Sequence, residues 1–229
     1  MTEEEWLTSR RLYLMLDAVR GLIRKQKKTW WDRKYRLFGC ACFRAIWDVL
    51  PDEVLHAAVV TAEKYADGKA DNADLQEAGD AIVRQSHWLK SVYVDGCIIL
   101  LRRTARNAAE SYLESCRWEK PNPALSKAEQ RQESSAHESR LAVVQREILH
   151  DIFGNLFRPV AFSPEWRTDT AMSLARGMYE SRDFSAMPIL ADALQDAGCN
   201  SDDILNHCRE AEQVHVRGCW VVDGVLGLS

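Results

Sequence analysis

Between residues 199 and 219 the chain carries Cys199, His207, Cys208, His215 and Cys219, a concentration of side chains able to bind metal. Zinc favours four Cys or His ligands in a tetrahedron. Cys199, His207, His215 and Cys219 supply such a set, two from each side of a helix–loop–helix turn. The His215–Cys219 spacing suits one ligand pair. Seven residues separate Cys199 from His207, more than a zinc knuckle uses, and no C-x2-C occurs. The competing reading makes Cys199, Cys208 and Cys219 small buried hydrophobes, with the histidines capping helix ends or bonding to backbone. No motif calls for an organic cofactor, so zinc is the one cofactor candidate.

A second constellation is RKQKKTWWDRKYR, residues 24–36. Arg24, Lys25, Lys27, Lys28, Arg33, Lys34 and Arg36 offer charge to phosphates, and Trp30, Trp31 and Tyr35 offer faces for base stacking. The same residues also fit a helix end whose lysines favour the C-terminal dipole, followed by aromatics that pin a turn to the core.

Elsewhere the residues point away from catalysis. Cys40 and Cys42 lie two apart, and on a helix they face about 200° away from each other. Core packing is the expected role of both. No phosphate-binding glycine loop, dinucleotide fingerprint, H-E-x-x-H or G-x-S-x-G occurs. A Cys–His nucleophile would have to combine Cys208 or Cys219 with His207 or His215, and nothing marks either thiol as activated.

These side chains need helices to hold them. Leu37–Leu50 has only Arg44 and Asp48 as charged residues, four apart on one stripe, so a helix over about 32–50 is apolar nearly all round and expected at the centre of the core. Phe38, Ala41, Cys42, Ala45, Ile46 and Trp47 are expected inside. Thr2 with Glu5, and Ser126 with Glu129, match capping boxes that open helices. Asp71 or Asn72 starts another, running to about Leu89. Ser91–Leu101 reads as a hairpin around Asp95-Gly96 or, given the helical continuation, as part of a helix over about Val92–Cys116. Ser163-Pro164 opens a helix over about 165–180, followed by short helices at about 185–197, 202–209 and 217–226. The expected fold is all-α: an irregular multi-helix bundle, residues 1–153, with a short-helix subdomain, 154–229, packed on it or merged with it in a single domain.

Composition agrees with this class. Apolar residues form 46% of the 229, enough for a sizeable core, and the eight tryptophans are spread along the chain as packing anchors. The net charge of -4 divides into +5 over residues 1–50 (eleven Lys/Arg, six Asp/Glu) and -9 over the rest (nineteen, twenty-eight). No apolar run reaches membrane-spanning length. The acidic start MTEEEW lacks the pattern of a signal peptide. The seven cysteines are therefore expected as reduced thiols in a cytoplasmic protein.

Three segments carry a likeness. RKYRLFGCACFRAIW at 33–47, DIFGNLFRPV at 151–160 and ILADALQDAGCNSDDILNHCREAEQVHVRGCWVVD at 189–223 resemble an uncharacterised family abundant in planctomycete-type bacteria. The likeness covers both ends and thins over about 70–135. The family carries no established activity, so the resemblance implies no mechanism. Its members usually have a short N-terminal segment where this chain has RGLIRKQKKTWWD.

The leading functional expectation is a non-catalytic helical module that binds another protein. A small zinc-stabilised domain, or one that binds nucleic acid through residues 24–36, is the alternative, and a cysteine/histidine enzyme comes third.

Overall fold

The computed structural model describes residues 1–9, 11–26, 30–50, 52–85 and 126–228. The fold is all-α, and no strand occurs among the described residues. The helices are α1 (Glu3–Thr8), α2 (Leu12–Gln26), α3 (Trp30–Arg44), α4 (Glu53–Ala66), α5 (Asn72–Gln85), α6 (Lys127–Phe153), α7 (Asp169–Ser181), α8 (Met187–Asp196), α9 (Asp202–Arg209) and α10 (Trp220–Leu226). The expected helix over Val92–Cys116 and its hairpin alternative at Ser91–Leu101 lie outside the described residues.

Local chemistry sets most of the helix starts. The Thr2 hydroxyl accepts the Glu5 N–H at 3.2 Å while the Glu5 carboxylate accepts the Thr2 N–H at 2.8 Å, a reciprocal capping box. Ser126 and Glu129 repeat it at the start of α6. Asp71 plays the Ser/Thr part for α5, accepting from Ala73 and Asp74 while Asp74 answers to the Asp71 N–H. The helix expected from 165 instead begins at Asp169. Pro164–Trp166 is a single 3-10 turn in which Ser163 makes no cap bond, and the Thr168 hydroxyl accepts the Ala171 N–H to open α7.

The chain forms two compact units. One is Ser9–Arg146. Its helix α3 is buried without interruption from Lys34 to Phe43. Cys40 and Cys42 are both buried and outside any disulfide, the first against the Val59 carbonyl of α4 at 3.8 Å. The helix stops at Arg44 rather than near Leu50. The Arg44 guanidinium leaves the expected stripe with Asp48 and makes a two-pronged bond to Glu63 of α4 at 3.0 and 2.9 Å. It also covers the Trp47 ring at 3.9 Å, and His56 stacks on Trp47 at 4.1 Å. Trp47 is consequently half-buried in a short 3-10 turn and Ala45 is exposed, where both were expected inside.

The other unit joins Met1–Thr8 to Glu147–Ser229. It differs from a subdomain beginning at 154 because the last turns of α6 and the first eight residues belong to it. Trp6 is buried, donates its indole N–H to the Gly154 carbonyl at 3.1 Å, and packs on His150 at 5.3 Å. The short helices α7–α10 enclose a core that includes Met178, Leu190, Leu194, Ile204, Val222 and Val225. Gly224 lets the loop before α7 close on α10, since a Cβ there would sit 2.3 Å from a Phe162 ring carbon. Gly224→Ala is expected to lower stability in urea by about 1–3 kcal/mol through overpacking.

Candidate metal centre

Four side chains converge inside the C-terminal unit. Asp151 comes from the last turn of α6 and His207 from the last turn of α9. His215 lies in the loop that follows α9, and Cys219 occupies the N-cap position of α10. One donor atom from each lies within 4.8 Å of the others, the geometry of a group able to hold a metal ion. The carboxylate and thiol are fully buried, and the imidazole side chains keep 8% and 6% exposure, so the site is largely shielded from solvent.

Asp151 is the hub. Its Oδ1 lies 2.8 Å from His215 Nδ1 and 3.2 Å from His207 Nε2, and its Oδ2 accepts the Val216 N–H at 2.8 Å. Burial works against the charge, but hydrogen bonds and charge from His207 and His215 outweigh it and hold the carboxyl below its ordinary pKa. Cys219 Sγ is 3.2 Å from His207 Nε2. Burial, helped by the Asp151 charge, pushes the Cys219 thiol well above its usual range. Burial likewise raises Cys208 to about 12.

The surroundings assign the imidazole protons. His207 Nδ1 faces the Trp220 indole nitrogen at 3.3 Å and Gln213 Nε2 at 2.8 Å. An indole N–H only donates, so Nδ1 accepts and the His207 proton sits on Nε2, toward Asp151. His215 Nδ1 faces the carboxylate and therefore donates to it. The His215 Nε2 is buried without a hydrogen-bond partner. Both rings thus turn N–H groups toward Asp151. Two thiols that burial holds in the neutral form are poor nucleophiles.

The structure brings together three of the four ligands expected from the sequence, His207, His215 and Cys219, and supplies Asp151 as the fourth. Cys199 is not in the group. Its N–H closes the end of α8 on the Leu194 carbonyl at 2.9 Å, after Gly198 at φ +86°, and its side chain joins the apolar core. Asp151 did leave a signal in the sequence. It is an acid among Ile148, Ile152 and Phe153, on a buried helix face and in a last turn where the dipole disfavours negative charge, so it needs partners.

The basic stretch fares differently. Arg33 pairs with Asp67 at 3.4 Å, Lys34 is buried, and buried Arg36 covers the Tyr65 ring at 4.7 Å. Tyr35 is buried with its hydroxyl toward the Leu16 carbonyl. These four are spent on the interior of α3 rather than offered to phosphates or bases. Lys27 and Lys28 lie outside the described residues. Arg24 and Lys25 are placed on α2, and Trp30 and Trp31 on α3, by backbone alone. Among the described residues no helix is long and apolar enough to cross a membrane. Compared with models of protein families, with curated proteins and with solved structures, the chain matches none.

Proposed function

We propose that one zinc ion, bound by Asp151, His207, His215 and Cys219, stabilises the C-terminal unit of a non-catalytic helical module whose partner is another protein. The observation that carries this reading is the convergence of four chemically suitable donors in a largely shielded site. Zinc bonds of about 2.0–2.3 Å to a tetrahedron of N, O and S put the donors about 3.3–3.8 Å apart. The separations here run from 2.8 Å to within 4.8 Å, so some pairs would spread and others would close by up to about 1 Å to reach that tetrahedron. A carboxylate and a thiolate would cancel the charge of the ion, so no net charge is buried. A largely shielded site with four protein ligands has the form of a structural centre rather than a catalytic one, which keeps a position open. Interior use of Arg33, Lys34 and Arg36, on a chain of net charge -4, favours protein over nucleic acid as the partner.

Protein purified without chelator is expected to carry about one zinc per chain, measured by elemental analysis, and Cys219→Ser to lose most of it. Chelation is expected to lower the melting temperature by several degrees without abolishing the fold, because ligand binding stabilises by mass action and the side chains of the cluster also bond to one another and to backbone. A metal-free protein whose melting is unchanged by added zinc and by chelator would overturn the zinc reading. Affinity capture with and without nuclease separates the partner classes: a partner lost on nuclease treatment would overturn the protein reading.

A further inference from the structure

We infer that the seat of α1 on the C-terminal unit is a recognition site for an acidic helix of a partner protein, one that carries a tryptophan three residues after a glutamate. Met1–Thr8 is the occupant supplied by the chain itself. The inference rests on the protein-partner reading above and names the partner's chemistry. Six residues are too few for a helix to hold by itself in water, so α1 forms because the seat takes it. Its buried residue is Trp6, and Glu3, one turn earlier, shares that face. The segment is held as a peptide ligand is held, by one aromatic anchor and one charge.

The seat answers both members of that pair. The Gly154 carbonyl accepts the Trp6 indole N–H at 3.1 Å, and the His150 ring packs on the indole with centroids 5.3 Å apart. His150 Nε2 also lies 3.0 Å from the Trp6 carbonyl, in the half of a helix whose carbonyls lack partners within it. Asn155 Nδ2 donates to Glu3 Oε1 at 2.7 Å, and Arg158 Nε donates to the same oxygen. An amide and a guanidinium on one carboxylate select an acid there. A carbonyl that takes the indole N–H selects Trp over Phe.

Bonds that do not involve α1 hold these groups in place. The Gly154 N–H closes the end of α6 on the His150 carbonyl at 2.8 Å. Asn155 Oδ1 accepts the Phe157 N–H at 3.0 Å, which fixes the amide that meets Glu3. A preorganised seat gives up little freedom when a helix docks. The resident helix also leaves apolar surface uncovered: Phe157, next to Arg158 in the chain, is 40% exposed, and Leu7, on the stripe of Glu3, is 48% exposed. A helix in trans with the same pair makes the same bonds, against α1 acting as a tethered competitor.

The test uses the full chain and a synthetic peptide of Met1–Ser9 with a fluorophore at its C-terminus, read by anisotropy. The parent keeps α1 on the seat, so the peptide meets only the fraction that is open. Trp6→Ala removes the resident anchor, and Glu3→Lys sets a cation against Arg158. Each variant is expected to bind the peptide at least about 10-fold more tightly than the parent, because the competent fraction rises. The same peptide carrying Trp6→Ala is expected to lose that binding. Arg158→Glu added to Glu3→Lys is expected to restore the resident pair and reject the peptide. Binding no tighter to the variants than to the parent, or binding kept by the Trp6→Ala peptide, overturns the inference. The protein-partner reading then stands, since it falls only to nuclease-sensitive capture. Should Trp6→Ala not fold, Glu3→Lys decides alone.

Discussion

Asp151→Ala is expected to destabilise the C-terminal unit by about 3–5 kcal/mol, the usual cost of removing one partner from a buried ionic cluster. The carboxylate accepts from His215, His207 and the Val216 backbone, and all three donors lose their acceptor at once in a largely shielded pocket. Each buried unpaired donor costs about 1–3 kcal/mol, and relaxation of the loop recovers part of the sum. Asp151→Asn is the informative companion. It keeps the size and one acceptor oxygen, so it is expected to lose less in metal-free protein, while zinc affinity falls because the anionic ligand is gone. Urea denaturation with chelator present measures the first effect, and zinc titration the second. A cost under about 1 kcal/mol for the alanine variant would show that the cluster does not hold the unit together.

Trp6→Ala is expected to cost a similar roughly 3–5 kcal/mol, as large-to-small changes at fully buried aromatics do. The indole is 1% exposed, donates to the Gly154 carbonyl and packs on His150, whose ring nitrogen meets the Trp6 carbonyl at 3.0 Å. Glu3 adds bonds from Asn155 and Arg158. Trp6→Phe keeps most of the packing and is expected to lose only the hydrogen bond, about 0.5–1.5 kcal/mol. Denaturation of the full chain measures both variants. A small effect of the alanine change would detach the first eight residues from the C-terminal unit.

What the sequence made legible is what short-range chemistry decides. The capping boxes at Thr2–Glu5 and Ser126–Glu129 were readable because donor and acceptor lie three residues apart. The burial of Leu37–Phe43 in α3 was readable because that stretch holds no charged residue. The end of α3 was not, because Arg44 is drawn to Glu63, nineteen residues away, rather than to Asp48 on its own stripe. Arg33, Lys34 and Arg36 looked like a phosphate-binding surface because charge type alone does not tell a solvated cation from one paired inside. The candidate metal site was half legible. His207, His215 and Cys219 sit close enough in the chain to be grouped by eye. Asp151 lies 64 residues before His215 and comes to the site only through tertiary packing. Cys199 has the same chemistry as a ligand, yet it closes the end of α8 and turns into the core.

Cobalt substitution tests the metal centre most directly, because a tetrahedral cobalt(II) site with a thiolate ligand absorbs strongly in the visible and carries a sulfur-to-metal charge-transfer band. Cobalt added to metal-free protein is expected to give both features at about one ion per chain. Added zinc is expected to bleach them, and Cys219→Ser to lose the charge-transfer band, while Cys199→Ser keeps it. A spectrum no different from cobalt in buffer would contradict the metal centre. A charge-transfer band lost in Cys199→Ser and kept in Cys219→Ser would contradict the ligand set.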